Sequence, residues 1–232
     1  MTDHAELRNL LAKSRLFQTF APSVVDAIMP LLTECHFPAD SLICLKGDES
    51  DSVYIIRDGK AEVSVSSSDG KVIILGILSE GDVFGEVGLL DGGPRTANVT
   101  AKTDVSFYRL DSKDFEKVTS LFGKPEWMAL TSYVCFLFRN VTNNLEETVF
   151  LDASIRVACK ILGLYEKDGD KDSNNFKVSI SQENLGRMAG LSREATNKAL
   201  SRLEDMGLIE REYKSIIVPD IKNFIANIED EF

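Results

Sequence analysis

Hydrophobic and polar positions alternate with a period of about two over much of the first half of the chain, which indicates β-strands. Turn glycines punctuate this region at positions 47, 59, 70, 81 and 92. Short, evenly spaced strands with Asp-Gly or Glu-Gly turns are typical of an antiparallel sandwich or jelly roll. The predicted strands are Ser41–Leu45, Val53–Ile56, Glu62–Ser66, Val72–Leu78, Asn98–Ala101 and Val105–Leu110. Helical residues from Ala5 to Leu32 precede them.

The alternation is clearest after the Asp58-Gly59 turn, a sequence that favours a β-hairpin. Apolar and polar residues alternate from Ala61 to Ser66. Because successive side chains of a strand point to opposite faces, we expect Glu62 and Ser64 to face away from the apolar side.

The period changes after Leu110, where apolar positions take helical spacing. Asp111-Ser112 caps a short helix, and Gly123-Lys124-Pro125 opens a long one, because proline is tolerated in a first helical turn. One seam of the long helix alternates steps of four and three residues. Its members are Trp127, Thr131, Val134, Phe138, Val141, Leu145 and Thr148. A seam of about three heptads favours a parallel homodimer; the alternative is a helix packed on its own β domain, and apolar residues off the seam allow both.

These patterns predict a β-rich domain at residues 1–124, a dimerisation helix at 125–151 and a second domain at 152–232. Asp152 is a good N-cap for a helix from Ala153 to Glu166, which places the second boundary there. The polar segment Lys167–Asn175 follows. Its acidic residues lack the glutamate spacing of a calcium loop, so we expect a solvated loop.

Residues 181–203 form a helix-turn-helix pattern. Gly186 allows close helix approach, Gly190 permits the tight turn, and Ser192 caps the second helix. A strand pair follows at Leu208–Glu212 and Ser215–Pro219, turning at Tyr213-Lys214, and it resembles the wing of a winged helix-turn-helix.

The outward face of the second helix is polar, and its residue types suit base edges. Arg193 can bind guanine through two hydrogen bonds, Glu194 can accept from cytosine, and Lys198 can reach guanine or phosphate. Residues around this face can hold the DNA backbone. The predicted DNA-binding residues are Ser181, Gln182, Arg187, Ser192, Arg193, Glu194, Asn197, Lys198 and Arg202.

The charge of the chain is unevenly distributed. Its net charge of −11 argues against nucleic acid as a partner only when it is taken over all residues. Residues 1–152 hold 14 basic and 23 acidic residues, a net of −9, whereas residues 153–232 hold 12 and 14, a net of −2. Because DNA affinity depends on local phosphate neutralisation, the acidic first domain does not exclude DNA binding by the second.

Composition argues against several classes of function. The cysteines are scattered, and the two histidines, His4 and His36, lie far from any cysteine pair, so we expect no metal site, no disulfide framework and no enzyme. No apolar run approaches the roughly 18 residues of a membrane helix. The first residues lack the pattern of a signal peptide. We therefore expect a cytoplasmic protein without a membrane partner.

Residues 85–97 carry the strongest functional signal, and they read Gly-Glu-Val-Gly-Leu-Leu-Asp-Gly-Gly-Pro-Arg-Thr-Ala. Backbone N–H groups of a glycine-flanked turn and the planar fork of Arg95 suit a phosphate. Glu86 would repel that phosphate but can accept from a sugar hydroxyl, so it must lie at the sugar end of a ligand. The alternative is a β-turn with an incidental surface Arg–Glu pair.

This segment resembles the phosphate-binding cassette of cyclic-nucleotide-binding domains, through Gly85-Glu86, two leucines and Pro94-Arg95-Thr96-Ala97. With the long helix and the helix-turn-helix, the chain resembles the CRP/FNR family of bacterial transcription regulators over nearly its whole length. The resemblance implies an α+β fold with an N-terminal β jelly-roll cyclic-nucleotide-binding domain, a long dimerisation helix and a C-terminal winged helix-turn-helix. It implies a homodimer that responds to cAMP or cGMP, binds double-stranded DNA and interacts with RNA polymerase.

The resemblance also assigns roles to residues. Glu86 binds the ribose hydroxyl, Arg95 binds the cyclic phosphate, and polar residues midway along the long helix reach the nucleobase. The nucleotide-binding residues that it implies are Gly85, Glu86, Val87, Arg95, Thr96, Ala97, Thr142 and Asn143.

Two residues depart from the family pattern. Val141 stands where cAMP-dependent members carry a threonine that contacts adenine, which leaves the base preference open. Lys198 replaces an arginine and therefore lacks its bidentate fork. Two alternatives remain: the same fold and DNA binding with another ligand, such as a cyclic dinucleotide, or with none, and a nucleotide-binding regulatory module without DNA activity.

Overall fold

A computed structural model describes residues 4–170 and 173–229 of the chain. It contains two compact units, of which the first holds the chain up to Asn140 except residues 66–74, and the second holds residues 66–74 and the chain from Val141 onward. Lys171 and Asp172, in the predicted solvated loop, lie outside the described residues. Within the described residues no helix has the length and apolar character needed to cross a membrane.

The first unit opens with helices α1 (His4–Lys13) and α2 (Pro22–Ile28) and a 3-10 turn at Met29–Leu31. The predicted helical segment is present but is interrupted between α1 and α2. A residue that precedes proline avoids the helical region, and Ala21 is accordingly extended, with φ −59° and ψ 145°. Pro22 then occupies the first turn of α2, where its missing N–H leaves no hydrogen bond unmade.

Two four-stranded sheets follow, with the strand orders β1-β8-β3-β6 and β2-β7-β4-β5. The strands are β1 (Thr33–Phe37), β2 (Leu42–Cys44), β3 (Ser52–Asp58), β4 (Ala61–Ser66), β5 (Val72–Leu78), β6 (Val83–Phe84), β7 (Asn98–Ala101) and β8 (Val105–Asp111). The predicted β jelly-roll is confirmed, and β1 and β6 are additional. Both additional strands lie at the edges of one sheet, where a strand of two residues or of mostly exposed residues has no clear apolar alternation.

Alternation places Glu62 and Ser64 on the face of β4 opposite Ala61 and Val63, but it does not predict that this second face is buried. Ala61 and Val63 pack on an apolar cluster as predicted, but Glu62 and Ser64 are buried as well. The Lys102 ammonium lies 3.4 Å from the Glu62 carboxylate. Because β4 lies between β7 and β5, side chains of the neighbouring strands and the Lys102 stem cover this face.

Helices α3 (Glu86–Asp91), α4 (Ser112–Thr119) and α5 (Lys124–Phe150) complete this part of the chain. Glu126 fixes the start of α5, because its carboxylate accepts from the backbone N–H groups of Ala21 at 3.0 Å and Gly123 at 2.9 Å. Leu130 and Tyr133 are buried on one face of α5. The predicted seam lies on exposed positions of the same helix.

The second unit contains α6 (Ala153–Asp168), α7 (Gln182–Ala189), α8 (Arg193–Asp205) and α9 (Ile221–Glu229) around a three-stranded sheet of order β10-β11-β9. Its strands are β9 (Phe176–Val178), β10 (Glu210–Glu212) and β11 (Ser215–Val218). The helix-turn-helix and the wing pair are confirmed, and β9 and α9 are additional. The wing strand starts later than predicted because Gly207, at φ +70°, caps α8 and Leu208 N–H still bonds to the carbonyl of Leu203.

Candidate functional site

The backbone of Arg95 is paired with the loop between β2 and β3. Arg95 N–H donates to the carbonyl of Asp48 at 2.8 Å, and Gly47 N–H donates to the carbonyl of Arg95 at 2.8 Å. This reciprocal pair fixes where the arginine side chain leaves the backbone, although residues 94–97 belong to no regular strand or helix.

The guanidinium of Arg95 is 6% exposed and is held by three protein oxygens. Its Nη1 donates to the carbonyl of Ser52 at 2.7 Å and to the carbonyl of Gly85 at 3.1 Å. Its Nη2 donates to the Ser52 hydroxyl at 3.1 Å. Arginine carries five N–H donors, and the hydrogen bonds of the described residues leave Nε–H and one Nη2–H. Those two form the side of the fork that can hold a phosphate bidentately.

Two further groups surround the guanidinium. The Asp51 carboxylate lies 3.7 Å from Nη2 but is largely exposed, and the Tyr54 ring centroid lies 5.4 Å from Cζ. Solvent screens the exposed carboxylate, so it neutralises Arg95 only in part. Ser52, Tyr54 and Asp51 are absent from the sequence-derived site, because only the folded strand β3 brings them to Arg95.

Glu86 is the first residue of α3 and is 8% exposed. Burial raises the pKa of this carboxyl group, while its own backbone N–H and Arg95 lower it. No side chain hydrogen-bonds to the Glu86 carboxylate within the described parts of the chain. A sheltered carboxylate without a protein donor can accept a hydrogen bond from a ligand hydroxyl.

Glycines let the backbone approach closely here. Gly85 has φ +82°, and a Cβ added to it would lie 2.3 Å from Arg95 Nη1 and 2.9 Å from the carbonyl oxygen of Ser52. A Cβ on Gly88 would lie 2.4 Å from Ser50 Cβ. The guanidinium therefore passes directly over Gly85, and α3 rests on the loop that holds Arg95.

The other predicted ligand residues differ in their exposure. Val87 and Ala97 are half-buried, and Thr96 is exposed. Thr142, half-buried, and Asn143, exposed, lie on the part of α5 that belongs to the second unit.

Tyr133 of α5 is a residue that sequence reasoning missed. Its side chain is buried in the apolar cluster that also contains Leu130 and against which Leu89 of α3 packs. The pKa of Tyr133 is raised by burial and, to a lesser degree, by the nearby charge of Glu86. The cassette helix and α5 thus share one core, and only the tertiary contact reveals it.

Both helices of the helix-turn-helix have a serine N-cap, of which the sequence analysis predicts the one at Ser192. The Ser181 hydroxyl accepts from Asn184 N–H at 3.1 Å, and the Ser192 hydroxyl accepts from Ala195 N–H at 3.2 Å. A Cβ on Gly186 would lie 2.3 Å from Thr196 Oγ1, so α7 and α8 touch there. These contacts set the angle at which α8 is presented.

The polar face of α8 is exposed, as predicted. Arg193, Asn197 and Lys198 are all open to solvent, and Lys198 lies 3.0 Å from the Glu194 carboxylate. Exposed pairs of this kind contribute little to stability, so breaking this one to bind another group costs little. Arg187 pairs with Glu183 at 2.6 Å in the same manner, and Gln182 is exposed.

Arg202 differs from the other predicted DNA-binding residues. Its Nη1 donates to Asp152 Oδ2 at 2.8 Å, at the start of α6. Within the described residues no group of three or more histidine, cysteine, aspartate or glutamate side chains could hold a metal ion.

Two family models match the chain. The cyclic nucleotide-binding domain matches residues 34–120, and the Crp-like helix-turn-helix domain matches residues 155–225. The CRP-like cAMP-activated global transcriptional regulator of Mycobacterium tuberculosis is 32% identical over 215 residues, which cover 91% of this chain and 95% of the relative. The cAMP-activated global transcriptional regulator CRP of Pasteurella multocida is 30% identical over 203 residues, 85% of this chain and 96% of the relative.

Solved structures share the fold. The c-di-GMP responsive global regulator CLP of Xanthomonas campestris superposes with a TM-score of 0.74 at 17% identity, over 85% of this chain and 99% of that one. The catabolite activator protein of Thermus thermophilus gives a TM-score of 0.54 at 25% identity, over 94% of this chain and 98% of that one.

Gly85→Ala should destabilise the protein by about 1–3 kcal/mol, because the new methyl group meets Arg95 and the backbone is already at positive φ. Gly92→Ala is the matched control, since Gly92 also has positive φ but an added Cβ meets nothing within 4 Å. Denaturant unfolding of both variants measures the difference. Equal losses for the two would show that strain alone, and no contact with the guanidinium, explains the glycine.

Proposed function

We propose that Arg95 and Glu86 form the effector site of this chain, which belongs to the CRP/FNR family of transcription regulators. The chain is a cyclic-nucleotide-responsive, DNA-binding regulator and not an enzyme. Arg95 binds the cyclic phosphate with the side of its fork that protein oxygens leave open. Glu86 accepts from the ribose hydroxyl. The observation that carries this proposal is a buried, pre-positioned guanidinium close to a buried carboxylate that has no side-chain donor.

We propose a cyclic mononucleotide, cAMP or cGMP, as the effector. The relatives from Mycobacterium tuberculosis and Pasteurella multocida are described as cAMP-activated. Thr96 and Ala97 then supply further phosphate contacts, and Thr142 with Asn143 faces the nucleobase. A cyclic dinucleotide is the competing ligand, because the Xanthomonas regulator of the same fold responds to c-di-GMP.

Calorimetric titration of the protein with cAMP, cGMP and c-di-GMP tests this site. Arg95→Lys keeps the charge but loses the fork, so we expect nucleotide affinity to fall by about 10- to 150-fold. Unchanged affinity for all three ligands in this variant would overturn the assignment.

Glu86 gives the site a pH dependence. Burial raises its pKa above the ordinary value of 4.5, and only the ionised carboxylate is a strong acceptor for the ribose hydroxyl. We expect nucleotide affinity to fall as the pH drops from neutral through that raised pKa, and Glu86→Gln to lose this pH dependence. The free variant should be at least as stable as the parent protein at neutral pH, because burying the ionised form opposes folding there. A pH profile that is identical in both proteins would exclude this role.

We propose that α8 reads the major groove of double-stranded DNA. Arg193, Glu194, Asn197 and Lys198 face the bases, and Ser192 lies beside them at the start of the helix. The phosphate backbone is held by Ser181, Gln182, Arg187 and Arg202. Exposure of the whole polar face and the weak Lys198–Glu194 pair support this assignment. RNA polymerase is the protein partner that family membership suggests.

Arg193 and Arg187 should behave differently in DNA-binding assays with a duplex that the parent protein selects from random sequences. Arg193→Ala should cost about 1–3 kcal/mol and relax the choice at one base pair. Arg187→Ala should weaken binding to selected and random duplexes alike. It should also lower, by about 1, the slope of the logarithm of affinity against the logarithm of salt concentration. If both variants weaken every duplex equally, Arg193 contacts phosphate and reads no base.

We propose a parallel homodimer through α5. All seven seam positions are exposed in the single chain, and Phe138 is 71% exposed. The buried residues Leu130 and Tyr133 occupy other positions of the helix, so the seam is available to a second copy. In a dimer, the two recognition helices must lie about 34 Å apart to enter successive major grooves.

Phe138→Asp should convert the dimer to a monomer, because a charge at the seam centre would be buried without a partner. Met128→Asp, also on α5 and exposed but off the seam, is the control and should remain dimeric. Sedimentation equilibrium measures both. Equal dimer stability in the two variants would place the interface elsewhere.

A further inference from the structure

A lysine joins α5 to α6 across the break between these helices. The Lys160 ammonium, in the second turn of α6, donates to Asn144 Oδ1 at 2.7 Å and lies 2.6 Å from Glu147 Oε2. Asn144 and Glu147 are one turn apart on α5. One side chain therefore holds two consecutive positions of α5 against α6, although residues 151 and 152 separate the helices in sequence.

The ion pair of Lys160 and Glu147 is more buried than the other ion pairs that the structure describes in the second unit. The Lys160 side chain is 17% exposed and that of Glu147 is 21% exposed, against 78% and 80% for Lys198 and Glu194. Glu147 Oε2 is buried and has no hydrogen-bond partner among the described residues, so the charge of Lys160 is what balances it. Removing one member of a sheltered pair leaves the other uncompensated, which gives this contact more weight than a surface pair has.

Helix α6 is held against the recognition helix α8 by a hydrogen bond and a shared core. Asp152 Oδ1 caps α6 by accepting from Ser154 N–H at 2.7 Å and Ile155 N–H at 3.0 Å, and Asp152 Oδ2 accepts from Arg202 of α8. In the core of this unit, Val157, Ala158 and Ile161 of α6 pack in one cluster with Leu200 and Leu203 of α8. A rotation of α6 must therefore carry α8 with it.

We propose that Lys160 is a positioning residue that transmits nucleotide binding from α5 to the recognition helix. This inference rests on the proposed function, in which Thr142 and Asn143 meet the nucleobase, because Asn144 follows them directly on α5. A shift of the α5 turn that carries Thr142 and Asn143 also moves Asn144 and Glu147. Because the Lys160 ammonium contacts both of these side chains, α6 moves with them. Without Lys160, α5 can respond to nucleotide while α6 and α8 do not follow.

The first test compares DNA affinity with and without saturating cAMP, and with cGMP or c-di-GMP if calorimetry selects one of them. Lys160→Met keeps the length of the stem and removes the charge. We expect it to reduce the nucleotide-induced gain in DNA affinity by about 2- to 30-fold, with nucleotide affinity and dimerisation unchanged. Lys160→Arg and the exchanged pair Lys160→Glu with Glu147→Lys should restore part of the gain.

Lys117→Met is the matched control. Lys117 is exposed and lies 2.6 Å from the half-buried Asp114 on α4, and its loss should leave the gain unchanged. An undiminished gain in Lys160→Met would overturn the proposal. If Lys160→Met fails to fold, Glu147→Gln removes the same charge pair and must reduce the gain, or the proposal is wrong.

A second readout needs no nucleotide. Spin labels placed in a cysteine-free background at two exposed positions, Glu146 of α5 and Glu166 of α6, report the distance between these helices. We expect one narrow distribution of label distances in the parent protein and a broad one in Lys160→Met. Identical widths would show that Lys160 does not hold the two helices together. If nucleotide leaves DNA affinity of the parent protein unchanged, the proposed function fails, and the label distances still decide whether Lys160 joins the two helices.

Discussion

The buried charge of Arg95 determines the local structure of the proposed effector site. A guanidinium can leave water only when its N–H groups find acceptors, since burying an unpaired charge costs several kcal/mol. The carbonyls of Ser52 and Gly85 meet that demand at 2.7 and 3.1 Å. Strand β3 and the start of α3 must therefore converge on Arg95, and Gly85 must lack a side chain. The electrostatic requirement of one residue dictates where three distant segments lie, and the same arrangement presents a fixed fork to an anion.

Glu86 shows the opposite arrangement, and the contrast explains why the pair suits a ligand. Its carboxylate is buried without a side-chain donor, and its raised pKa records that burial. A buried ionised carboxylate of this kind opposes folding at neutral pH, and a hydroxyl that donates to it compensates part of that cost. Because a ligand that binds only the folded state stabilises it, a nucleotide bound at the proposed site would stabilise this domain.

Periodicity and turn residues predict most of the architecture, because they act locally. The glycine spacing yields six strands of the sandwich, and the seam and caps yield α5 and the helix-turn-helix. Helix α3 is missed because its two leucines are too few for a helical period, and the contacts of Ser52, Tyr54 and Tyr133 with the cassette are long-range. Alternation within β4 shows which face of the strand carries Glu62. It does not predict that this face is buried, because burial depends on the residues that pack over the strand. Local pattern finds the cassette, and only packing reveals what supports it.

Helix α5 holds residues of both units, and its two ends make different contacts. Near its start, Leu130 and Tyr133 share a core with Leu89 of the cassette helix. Its seam is exposed and is the surface that we propose for the dimer. Near its end, Glu147 pairs with Lys160 of α6. In the proposed mechanism, a change at one of these contacts passes along α5 to the other. A nucleotide can drive such a change only by binding one arrangement of α5 more tightly than another. The contacts at the two ends of α5 therefore matter because they define those arrangements.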